Sequence, residues 1–546
     1  MKEPDLSPKL SKEQIEVISM YGKIRHAMIG ESLIKVGDRN HDLFVVLEGA
    51  IAISDDHNNE LGIHLPGEFT GNSDSLSART AIFNAFAQTN AVVLQIPNQQ
   101  LKEIIASDQE LSKVLLRTFL LRRAHELETN VGAIKLLGSR YCAKTFKLRE
   151  FLSKNHIIYS WIDLEKDDIS NTLLAQFGID VEETPIIIAK DEKIFKNPSI
   201  EEIAEVLGLL SVLNEEVYDV IVVGAGPAGL AASVYASSEG LKVITIDNIG
   251  PGGQAGASSK IENYLGFPTG ISGSELANNA YIQAQKFGCH VSIPRKAKAL
   301  RFKNNCFHLE LDSETVIKGS TVIAATGARY RKLPLENLPL FEGRGVYYGA
   351  GNMEAQTISG KEIMIVGGGN SAGQAAIFLA TKSSQVHLVI RGENLQKSMS
   401  TYLISRIMNN PNIRLHTHSE IIALEGGNWL REVILGNNIS KQSTTYPVSD
   451  LFLFLGAIPC SEWLTDVTCL DKRGFVYTGR DIPEEGLKQY NWPHRWPPQS
   501  LETCLPGLFA VGDIRSGSVK RVASAVGEGS MAVSQVHSFL SRNRIF

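Results

Sequence analysis

The stretch that decides the fold runs from residue 217 to residue 248 and reads VYDVIVVGAGPAGLAASVYASSEGLKVITIDN. An unbroken apolar run from Val220 to Val223 predicts a strand that is buried on both faces. Gly224, Gly226 and Gly229 follow at once in G-x-G-x-x-G spacing. These glycines would allow a tight turn, a close backbone approach to a pyrophosphate, and close packing of the next helix on the strand.

The residues after the glycines complete a dinucleotide-binding pattern. Small side chains after Gly229 predict a helix whose first N–H groups can bind phosphate. A second strand ends at Asp247, about 20 residues on, where a carboxylate can accept ribose hydroxyls. A glycine loop alone is weak evidence. The strand, helix, second strand and terminal acid together make a mere glycine-bearing turn a poor explanation.

The composition is that of a soluble globular protein with several hydrophobic cores. A length of 546 residues predicts three or four domains, and 43% hydrophobic with 21% charged residues is ordinary for such proteins. A formal net charge of -5 argues against nucleic acid as a partner. No signal core and no apolar run of about 20 residues is present, so we expect no membrane partner and a cytoplasmic location.

The six cysteines show no metal or redox spacing. They lie at positions 142, 289, 306, 460, 469 and 504, with no C-x-x-C and no zinc-finger arrangement with histidine. We therefore predict reduced thiols and no metal site.

Residues 1–130 predict an antiparallel β-roll, because short alternating apolar segments are separated by turn residues. A helical pattern follows from Asp108 to about Thr129. The stretches Phe44-Val-Val-Leu-Glu-Gly49 and Gly67-Glu-Phe-Thr-Gly71, followed by Arg79-Thr-Ala81, resemble the cyclic-nucleotide-binding domain.

This resemblance implies a short phosphate cassette. Gly71, Asn72, Arg79 and Thr80 would bind a cyclic nucleotide or another small anion there. Asn72 stands where the family has a glutamate for the ribose hydroxyl, and an amide is not an obligate acceptor. The cassette is also about two residues short of the family's length. The alternative is a roll that serves only as a structural or dimerising module.

Residues 131–212 predict a βαβαββα order, which resembles the thioredoxin/glutaredoxin fold. Thr184-Pro185 matches the family's cis-proline element. Ser139-Arg-Tyr-Cys142 stands where the family has C-x-x-C, and a serine hydroxyl cannot start thiol exchange near neutral pH. We expect a redox-silent domain used for docking or spacing. The alternative is a monothiol site at Cys142.

A second glycine loop predicts a second nucleotide site. A strand from Glu362 precedes a G-x-G-x-x-A variant, and another strand ends just before Arg391. An arginine at this place suits a 2′-phosphate, whereas Asp247 suits a free 2′-hydroxyl. The first site would therefore hold FAD and the second NADPH. The predicted NADPH-binding residues are Gly367, Gly369, Asn370, Ser371, Ala372 and Arg391.

Residues 217–546 resemble the low-molecular-weight thioredoxin reductase family over their whole length. The resemblance rests on both glycine loops and on short matching pieces, among them Gly252-Gly-Gln254, Ala325-Thr-Gly327 and Gly512-Asp513. It implies an FAD domain in two pieces (217–330 and 449–546) around an inserted NADPH domain (331–448), and a homodimer. Further FAD-binding residues implied by it are Gln254, Asn263, Thr326, Gly327, Asp513, Arg521, Val522 and Ala523.

The departure from that family lies at its centre. Gly349 and Asn352 occupy the positions of the family's redox-active cysteines, and no other cysteine pair has a spacing that would replace them. The fold class we predict is α/β multidomain: a cyclic-nucleotide-binding-like roll, a thioredoxin-like fold and two Rossmann-like FAD/NAD(P)-binding domains. The function we predict is an NADPH oxidoreductase that passes electrons through FAD to an unknown external acceptor, regulated by the N-terminal module. The alternative is a redox and nucleotide sensor with negligible turnover.

Overall fold

The computed structural model describes residues 6–55, 59–76, 80–129, 134–140, 142–165, 183–189, 193–210, 213, 216–258, 260–350, 355, 358–490, 492–493 and 496–543. These residues form a β-roll, a small mixed sheet, and two larger units built on parallel sheets, the second inserted into the first. The predicted α/β multidomain class is confirmed. Among the described helices, none is long and apolar enough to cross a membrane.

The N-terminal unit is a roll of two antiparallel sheets. Its strands are Lys23–Ala27 (β1), Ser32–Ile34 (β2), Leu43–Glu48 (β3), Ile51–Ser54 (β4), Glu60–His64 (β5), Asn84–Ala87 (β6) and Ala91–Ile96 (β7). One sheet has the order β1-β7-β3 and the other β2-β6-β4-β5. The sequence pattern did not indicate β1, β5 or β6. Four of the five residues of β5 are exposed, so this strand has no buried face that the pattern could reflect.

Helices precede and follow the strands of the roll in the chain. Helix α1 (Lys12–Ser19) begins with a capping box between Ser11 and Gln14. After the roll, Asn98–Ser107 (α2) and Gln109–Thr129 (α3) follow with only Asp108 between them. Asp108 accepts a hydrogen bond from the Leu111 N–H at 2.8 Å, so it starts α3 where the sequence predicted a helix to start.

The second unit has a four-stranded mixed sheet. Its elements are Ile134–Leu137 (β8), Ala143–Lys154 (α4), Tyr159–Ile162 (β9), Ile186–Ile188 (β10), Ile194–Lys196 (β11) and Ile200–Val206 (α5). The strand order is β11-β10-β8-β9, with β8 and β9 parallel and the other pairs antiparallel. The peptide bond between Thr184 and Pro185 is cis, as the resemblance implied. Residues 169–177, for which the sequence pattern predicts the second helix of the βαβαββα order, lie outside the described residues.

The third unit begins with the stretch that decides the fold. Its first elements are Val217–Val223 (β12), Pro227–Ser238 (α6), Val243–Ile246 (β13), Gly273–Lys286 (α7), His290–Ser292 (β14), Ala297–Lys303 (β15), Cys306–Leu311 (β16) and Val316–Ala324 (β17). Strands β14, β13, β12 and β17 run parallel in that order, and β16 and β15 continue the sheet antiparallel. Residues 220–223 are buried, as expected for a central parallel strand.

A fourth unit is inserted after β17. Its elements are Ala328–Tyr330 (β18), Leu338–Phe341 (α8), Val346–Tyr347 (β19), Glu362–Val366 (β20), Asn370–Leu379 (α9), Gln385–Val389 (β21), Thr401–Met408 (α10), Ile413–His416 (β22), Ser419–Gly426 (β23), Leu430–Asn437 (β24), Ser443–Tyr446 (β25), Leu451–Leu453 (β26) and Ala457–Pro459 (β27). The parallel sheet has the order β19-β26-β20-β21-β22, and β23-β24-β25 form a separate antiparallel sheet. Because β26 belongs to this parallel sheet, the boundary predicted between residues 448 and 449 was placed too early. The paired strands β18 and β27 connect the two units.

The chain then returns to the third unit. Helix α11 (Glu484–Gln489), strand β28 (Leu508–Ala510) and helix α12 (Val522–Asn543) complete it. Strand β28 pairs in parallel with β17, and α12 packs on α6. The third unit is therefore built from both sides of the insertion.

The roll and the third unit share one hydrophobic core. Ile104 and Ile105 of α2 belong to the same buried cluster as Tyr281 and Ile282 of α7. Burial of apolar side chains across this contact stabilises the arrangement of the two units.

Candidate active site

The first glycine loop connects β12 to α6 and packs as its spacing predicts. A Cβ added at Gly224, where φ is +109°, would lie 2.3 Å from the carbonyl oxygen of Ala325. A Cβ added at Gly229 would lie 1.8 Å from the carbonyl oxygen of Gly224. At Gly226 the nearest atom would be 3.8 Å away, on Gly253. Two of the glycines therefore permit packing, and the third leaves open space beside the backbone.

Helix α6 offers an anion site at its start. Gly226 is its N-cap and makes no side-chain capping bond, and Pro227 follows at the first turn. The first N–H groups of such a helix have no partners within the helix, so they favour a phosphate. The open space at Gly226 lies at this same end. This geometry fits the pyrophosphate of a dinucleotide.

Asp247 lies beside the first glycine loop, as predicted. Its Oδ2 accepts a hydrogen bond from the Ala225 N–H at 2.8 Å. Its Oδ1 accepts bonds from the N–H groups of Ile249 and Gly250 at 2.9 and 3.0 Å. A carboxylate has about four acceptor positions, so one can still accept a ribose hydroxyl.

Several predicted FAD-binding residues gather at the end of β17. The Thr326 hydroxyl donates to the carbonyl oxygen of Cys460 at 2.6 Å, and the Cys460 N–H donates to the carbonyl of Gly327 at 2.9 Å. Gln254 donates from its side-chain amide to the carbonyl of Ala328. These bonds connect the first glycine unit to the strands that lead into and out of the insertion.

Asn263 occupies an exposed position. It lies in a loop closed by the bridge between Ile261 and Ile271, near the stacked rings of Tyr264 and Phe267. The resemblance alone, rather than a contact in the structure, assigns this residue to the FAD site.

The loop with Asp513 is held by a glutamate that the sequence analysis missed. Glu528 Oε2 accepts a hydrogen bond from the Gly512 N–H at 2.7 Å, and its Oε1 pairs with Arg515 at 2.5 Å. Burial raises the pKa of Asp513; Lys520 opposes this shift and Glu528 adds to it. Helix spacing could have indicated Glu528, because it lies two turns after Arg521 on the same face.

Three further predicted residues mark the start of α12. Arg521 directly precedes this helix, and Val522 and Ala523 are its first residues. Arg521 and Ala523 are exposed, whereas Val522 is half-buried. The helix start therefore lies close in sequence to the Asp513 loop and faces solvent.

The second glycine loop connects β20 to α9. At Gly367, φ is +148°, and an added Cβ would lie 2.6 Å from the carbonyl oxygen of Phe454 and 3.2 Å from the Cβ of Ala372. Gly369 is the N-cap of α9, without a side-chain capping bond, and an added Cβ there would meet nothing within 4 Å. The second loop thus has the same geometry as the first: an added Cβ would clash at the first glycine, and there is open space at the second.

Two serines that the sequence analysis gave no role support the second loop. The Ser398 hydroxyl donates to the carbonyl of Gly368 at 2.8 Å. Asn370 Oδ1 accepts bonds from the N–H and hydroxyl of Ser400 at 2.7 and 3.0 Å. Asn370 is therefore fixed by the segment before α10, while its neighbour Ser371 is exposed.

Arg391 lies two residues beyond β21 and is exposed. Its carbonyl oxygen accepts a hydrogen bond from the Asn438 side chain at 3.0 Å, which fixes the backbone. An exposed guanidinium next to the second loop fits a 2′-phosphate.

Gly349 lies against the third unit. A Cβ added there would be 3.7 Å from the Cβ of Ala257, an ordinary contact distance. The position therefore accepts a side chain, and the sequence places none there. Asn352, the second of the two positions, lies outside the described residues.

The second unit, residues 134–206, for which a thioredoxin-like fold was predicted, packs next to this position; it is called the thioredoxin-like unit below. The rings of Phe146, on α4, and Tyr347 have centroids 5.9 Å apart at an interplanar angle of 41°. Phe146 atoms would also lie 3.6 Å from a Cβ added at Gly343. Cys142 is the N-cap of α4. Through Phe146, helix α4 thus contacts the stretch that leads to Gly349 in the inserted unit.

The predicted cassette of the roll is contacted by α3. Asn72 is buried, and its amide donates to Glu126 Oε1 at 2.9 Å. Arg122 donates to the carbonyl oxygens of Gly71 at 2.6 Å and Phe69 at 2.9 Å. A ribose hydroxyl at Asn72 would therefore compete with Glu126.

Thr80 connects the cassette to the loop before β3. It forms an isolated bridge with Arg39, whose guanidinium donates to the carbonyl of Glu205 in the thioredoxin-like unit at 2.7 Å. Arg79, the predicted phosphate ligand, lies outside the described residues.

Two glycine loops, each opening a helix at the carboxyl end of a parallel sheet, define a two-dinucleotide oxidoreductase. The chain belongs to the pyridine nucleotide-disulphide oxidoreductase family, whose model matches residues 218–529. Residues 24–108 match the cyclic nucleotide-binding domain. Homologues in the thioredoxin reductase family use FAD and NADPH, so the predicted cofactors are confirmed.

Thioredoxin reductases are among the similar proteins. That of Ureaplasma parvum serovar 3 is 31% identical over 333 residues, which cover 61% of this chain and 99% of the relative. That of Bacillus subtilis is 28% identical, covering 60% and 96%. The crystal structure of T. acidophilum thioredoxin reductase is 25% identical with a TM-score of 0.53, covering 59% of this chain and 98% of that one. The predicted resemblance to this family is confirmed.

Proposed function

We propose that the chain is an NADPH-dependent FAD oxidoreductase that delivers electrons to an acceptor outside the chain. The observation that supports this proposal is Gly349: the family resemblance implies a redox-active cysteine at this position, which lies between the two glycine loops in the sequence, and this chain has a glycine there. Without thiols at Gly349 and Asn352, electrons cannot pass into an internal disulfide there by thiol exchange.

The chain's own residues would bind FAD between the first loop and the Asp513 loop. The start of α6 would bind the pyrophosphate, Asp247 the ribose, and the Asp513 loop would close over the opposite side. Glu528 positions that loop through Gly512 and Arg515. Bound FAD supplies two-electron chemistry with the nicotinamide and can pass electrons on singly or in pairs.

NADPH would bind at the second loop. The start of α9 would bind its pyrophosphate beside Gly369, and Arg391 would bind its 2′-phosphate. Ser398 and Ser400 fix the loop backbone and Asn370, so the loop is ordered before the nucleotide arrives. Preorganisation of this kind reduces the entropy lost on binding.

We also propose that the N-terminal roll regulates this activity through the thioredoxin-like unit. Helix α3 contacts the cassette through Glu126, and Arg123 on the same helix donates to the carbonyl of His156 in the thioredoxin-like unit. That unit reaches the inserted unit through Phe146 and Tyr347. A small anion that displaced Glu126 from Asn72 would therefore act on a continuous series of contacts.

An anaerobic titration tests the enzyme proposal. Purified, FAD-loaded protein is mixed with NADPH or NADH, flavin absorbance is followed, and acceptors are then added: a quinone, dioxygen, a one-electron dye, and thioredoxin. We expect rapid bleaching by NADPH and fast reoxidation by at least one acceptor other than thioredoxin. Bleaching with no competent acceptor would support the sensor alternative, and rapid thioredoxin reduction would contradict the argument from Gly349.

The regulatory proposal has a separate test. Turnover is measured with and without cyclic AMP, cyclic GMP and inorganic phosphate, in wild type and in Glu126→Gln. We expect at least one of these anions to change turnover, and the variant to change the concentration needed. Identical turnover under all conditions would contradict regulation through the cassette. The homodimer and the cytoplasmic location stay predictions, and light scattering checks the first.

A further inference from the structure

Two cysteines far apart in the sequence lie in contact. Cys469 and Cys504 are 35 positions apart, and their Sγ atoms are separated by 3.2 Å. Both are free thiols. The spacing in the sequence gave no reason to relate them, because the chain folds back between them through α11. A disulfide needs about 2.05 Å between the sulfurs, so an approach of about 1 Å would join them.

The two sulfurs have different access to solvent. Cys504 is fully buried, whereas Cys469 is partly exposed. The Cys504 sulfur accepts hydrogen bonds from the N–H of Cys469 at 3.2 Å and from its S–H, and the Thr468 hydroxyl lies 3.4 Å away. One thiol can therefore be reached from outside, and the other lies directly behind it.

The surroundings keep Cys469 protonated near neutral pH. Burial and the neighbouring Cys504 raise the pKa of the Cys469 thiol to about 12. Because the thiolate is the reactive form, oxidation at Cys469 is slow at neutral pH and accelerates as the pH rises.

We propose that Cys469 and Cys504 form a site of reversible disulfide formation that takes a low-molecular-weight disulfide as its oxidant. The Cys469 thiolate attacks one sulfur of the small disulfide, whose S–S bond breaks and releases one small thiol. The Cys504 sulfur then attacks the Cys469 sulfur of the mixed disulfide and releases the second small thiol. The protein loses two electrons and two protons, and one small disulfide becomes two small thiols.

The position of the pair connects it to the predicted FAD site. Beyond Cys469 the chain reaches Val476, which forms a bridge with Arg515. Beyond Cys504 it enters β28, which leads directly to the Asp513 loop. A disulfide would tie together the two segments that flank this loop. This expectation rests on the proposed FAD site: oxidation of the Cys469–Cys504 pair should slow FAD release at least threefold.

Thiol counting on the full-length holoprotein tests the pairing. Fully reduced protein is incubated with glutathione disulfide, unfolded, alkylated and analysed by peptide mass spectrometry. We expect alkylated cysteines to fall from the six in the sequence to four, with a Cys469–Cys504 linked peptide that dithiothreitol removes. Six alkylated cysteines, or Cys469 present only as a mixed disulfide with glutathione, would overturn the proposal.

Variants and pH make the test specific. Cys469→Ser should keep all five remaining thiols, whereas Cys306→Ser, at a partly buried cysteine outside the pair, should still form the linked peptide. The rate of pairing should rise about tenfold per pH unit between pH 7 and 9, because the thiolate fraction does so below the pKa. A rate independent of pH would contradict attack by Cys469.

The FAD-release arm is read separately. FAD release is followed by flavin fluorescence after dilution of protein with the cysteine pair in the disulfide form or in the dithiol form. The control is Cys469→Ser, which should release FAD at the same rate after either treatment. Equal rates in oxidised and reduced wild type would overturn the link to the FAD site. Thiol counting needs neither NADPH nor turnover, so its result is independent of the proposed enzyme function.

Discussion

Alanine substitutions in the first glycine loop separate folding from binding. A Cβ at Gly229 would lie 1.8 Å from the carbonyl oxygen of Gly224, where real Cβ contacts stay above 3.0 Å. Strand β12 and helix α6 would have to move apart by 3.0 minus 1.8, or about 1.2 Å. A Cβ at Gly226 would meet only the Cα of Gly253, at 3.8 Å.

The two costs follow from these distances. Overpacking of backbone against backbone costs about 1–3 kcal/mol or more, so Gly229→Ala destabilises the apoprotein even though alanine favours a helix by roughly 0.5–1 kcal/mol. Gly226 has an extended backbone with φ of -73°, which alanine adopts, but alanine is a poorer N-cap than glycine by roughly 0.5–1 kcal/mol. Gly226→Ala should therefore lower apoprotein stability by no more than about 1 kcal/mol. Its methyl group would occupy the space for the pyrophosphate and weaken FAD binding by tenfold or more, about 1.4 kcal/mol.

Two measurements check the predictions for Gly226→Ala and Gly229→Ala. Urea unfolding of the apoproteins gives the free energy of unfolding, and quenching of flavin fluorescence gives the dissociation constant of FAD. Gly427→Ala, at an open site in the inserted unit, is the matched control and should change neither. Wild-type FAD affinity in Gly226→Ala, or wild-type stability in Gly229→Ala, would refute the assignment.

Three further predictions concern the other positions of the site. Arg391→Ala should raise the half-saturating NADPH concentration in anaerobic flavin reduction at least tenfold, roughly 1.5–3 kcal/mol, and leave NADH unaffected; equal effects on both would contradict a 2′-phosphate contact. Because burial raises the pKa of Asp513, its ionised form costs stability at neutral pH, and this cost shrinks as the pH falls from the raised pKa towards the ordinary value for aspartate. Asp513→Asn apoprotein should therefore unfold at higher urea than wild type at pH 7, and the difference should shrink on acidification. The double change Gly349→Cys and Asn352→Cys should create NADPH-dependent reduction of an aromatic disulfide, since the first position accepts a Cβ 3.7 Å from Ala257; no gain over wild type would count against the assigned positions.

The sequence predicted the parts of the site that depend on local spacing. Gly224 and Asp247 come together because they follow adjacent parallel strands, β12 and β13, and a βαβ unit fixes that geometry within about 30 residues. The second glycine loop and Arg391 follow the same rule on β20 and β21. The family resemblance added Gln254, whose side-chain amide donates to the carbonyl of Ala328 in the connecting strand β18. Its role in FAD binding stays a prediction.

Contacts between distant segments could not be predicted in this way. Helix spacing places Glu528 on the same face as Arg521, but its hydrogen bond with the Gly512 N–H also depends on the packing of α12. Cys469 meets Cys504 only because a long loop returns to the sheet. The end of the inserted unit was misplaced because β26 enters a parallel sheet far from its neighbours in sequence. Each of these depends on tertiary packing, which periodicity and spacing do not encode.

The contact between Phe146 and Tyr347 has a consequence for any protein that would approach Gly349. The thioredoxin-like unit is a tethered competitor for that surface, since it belongs to the same chain. Tethering produces effective concentrations in the millimolar range, about a thousandfold above a partner present at micromolar levels. A separate partner protein must therefore bind this surface roughly a thousandfold more tightly than the tethered unit does in order to displace it. A small-molecule acceptor does not need to displace the whole unit to reach Gly349.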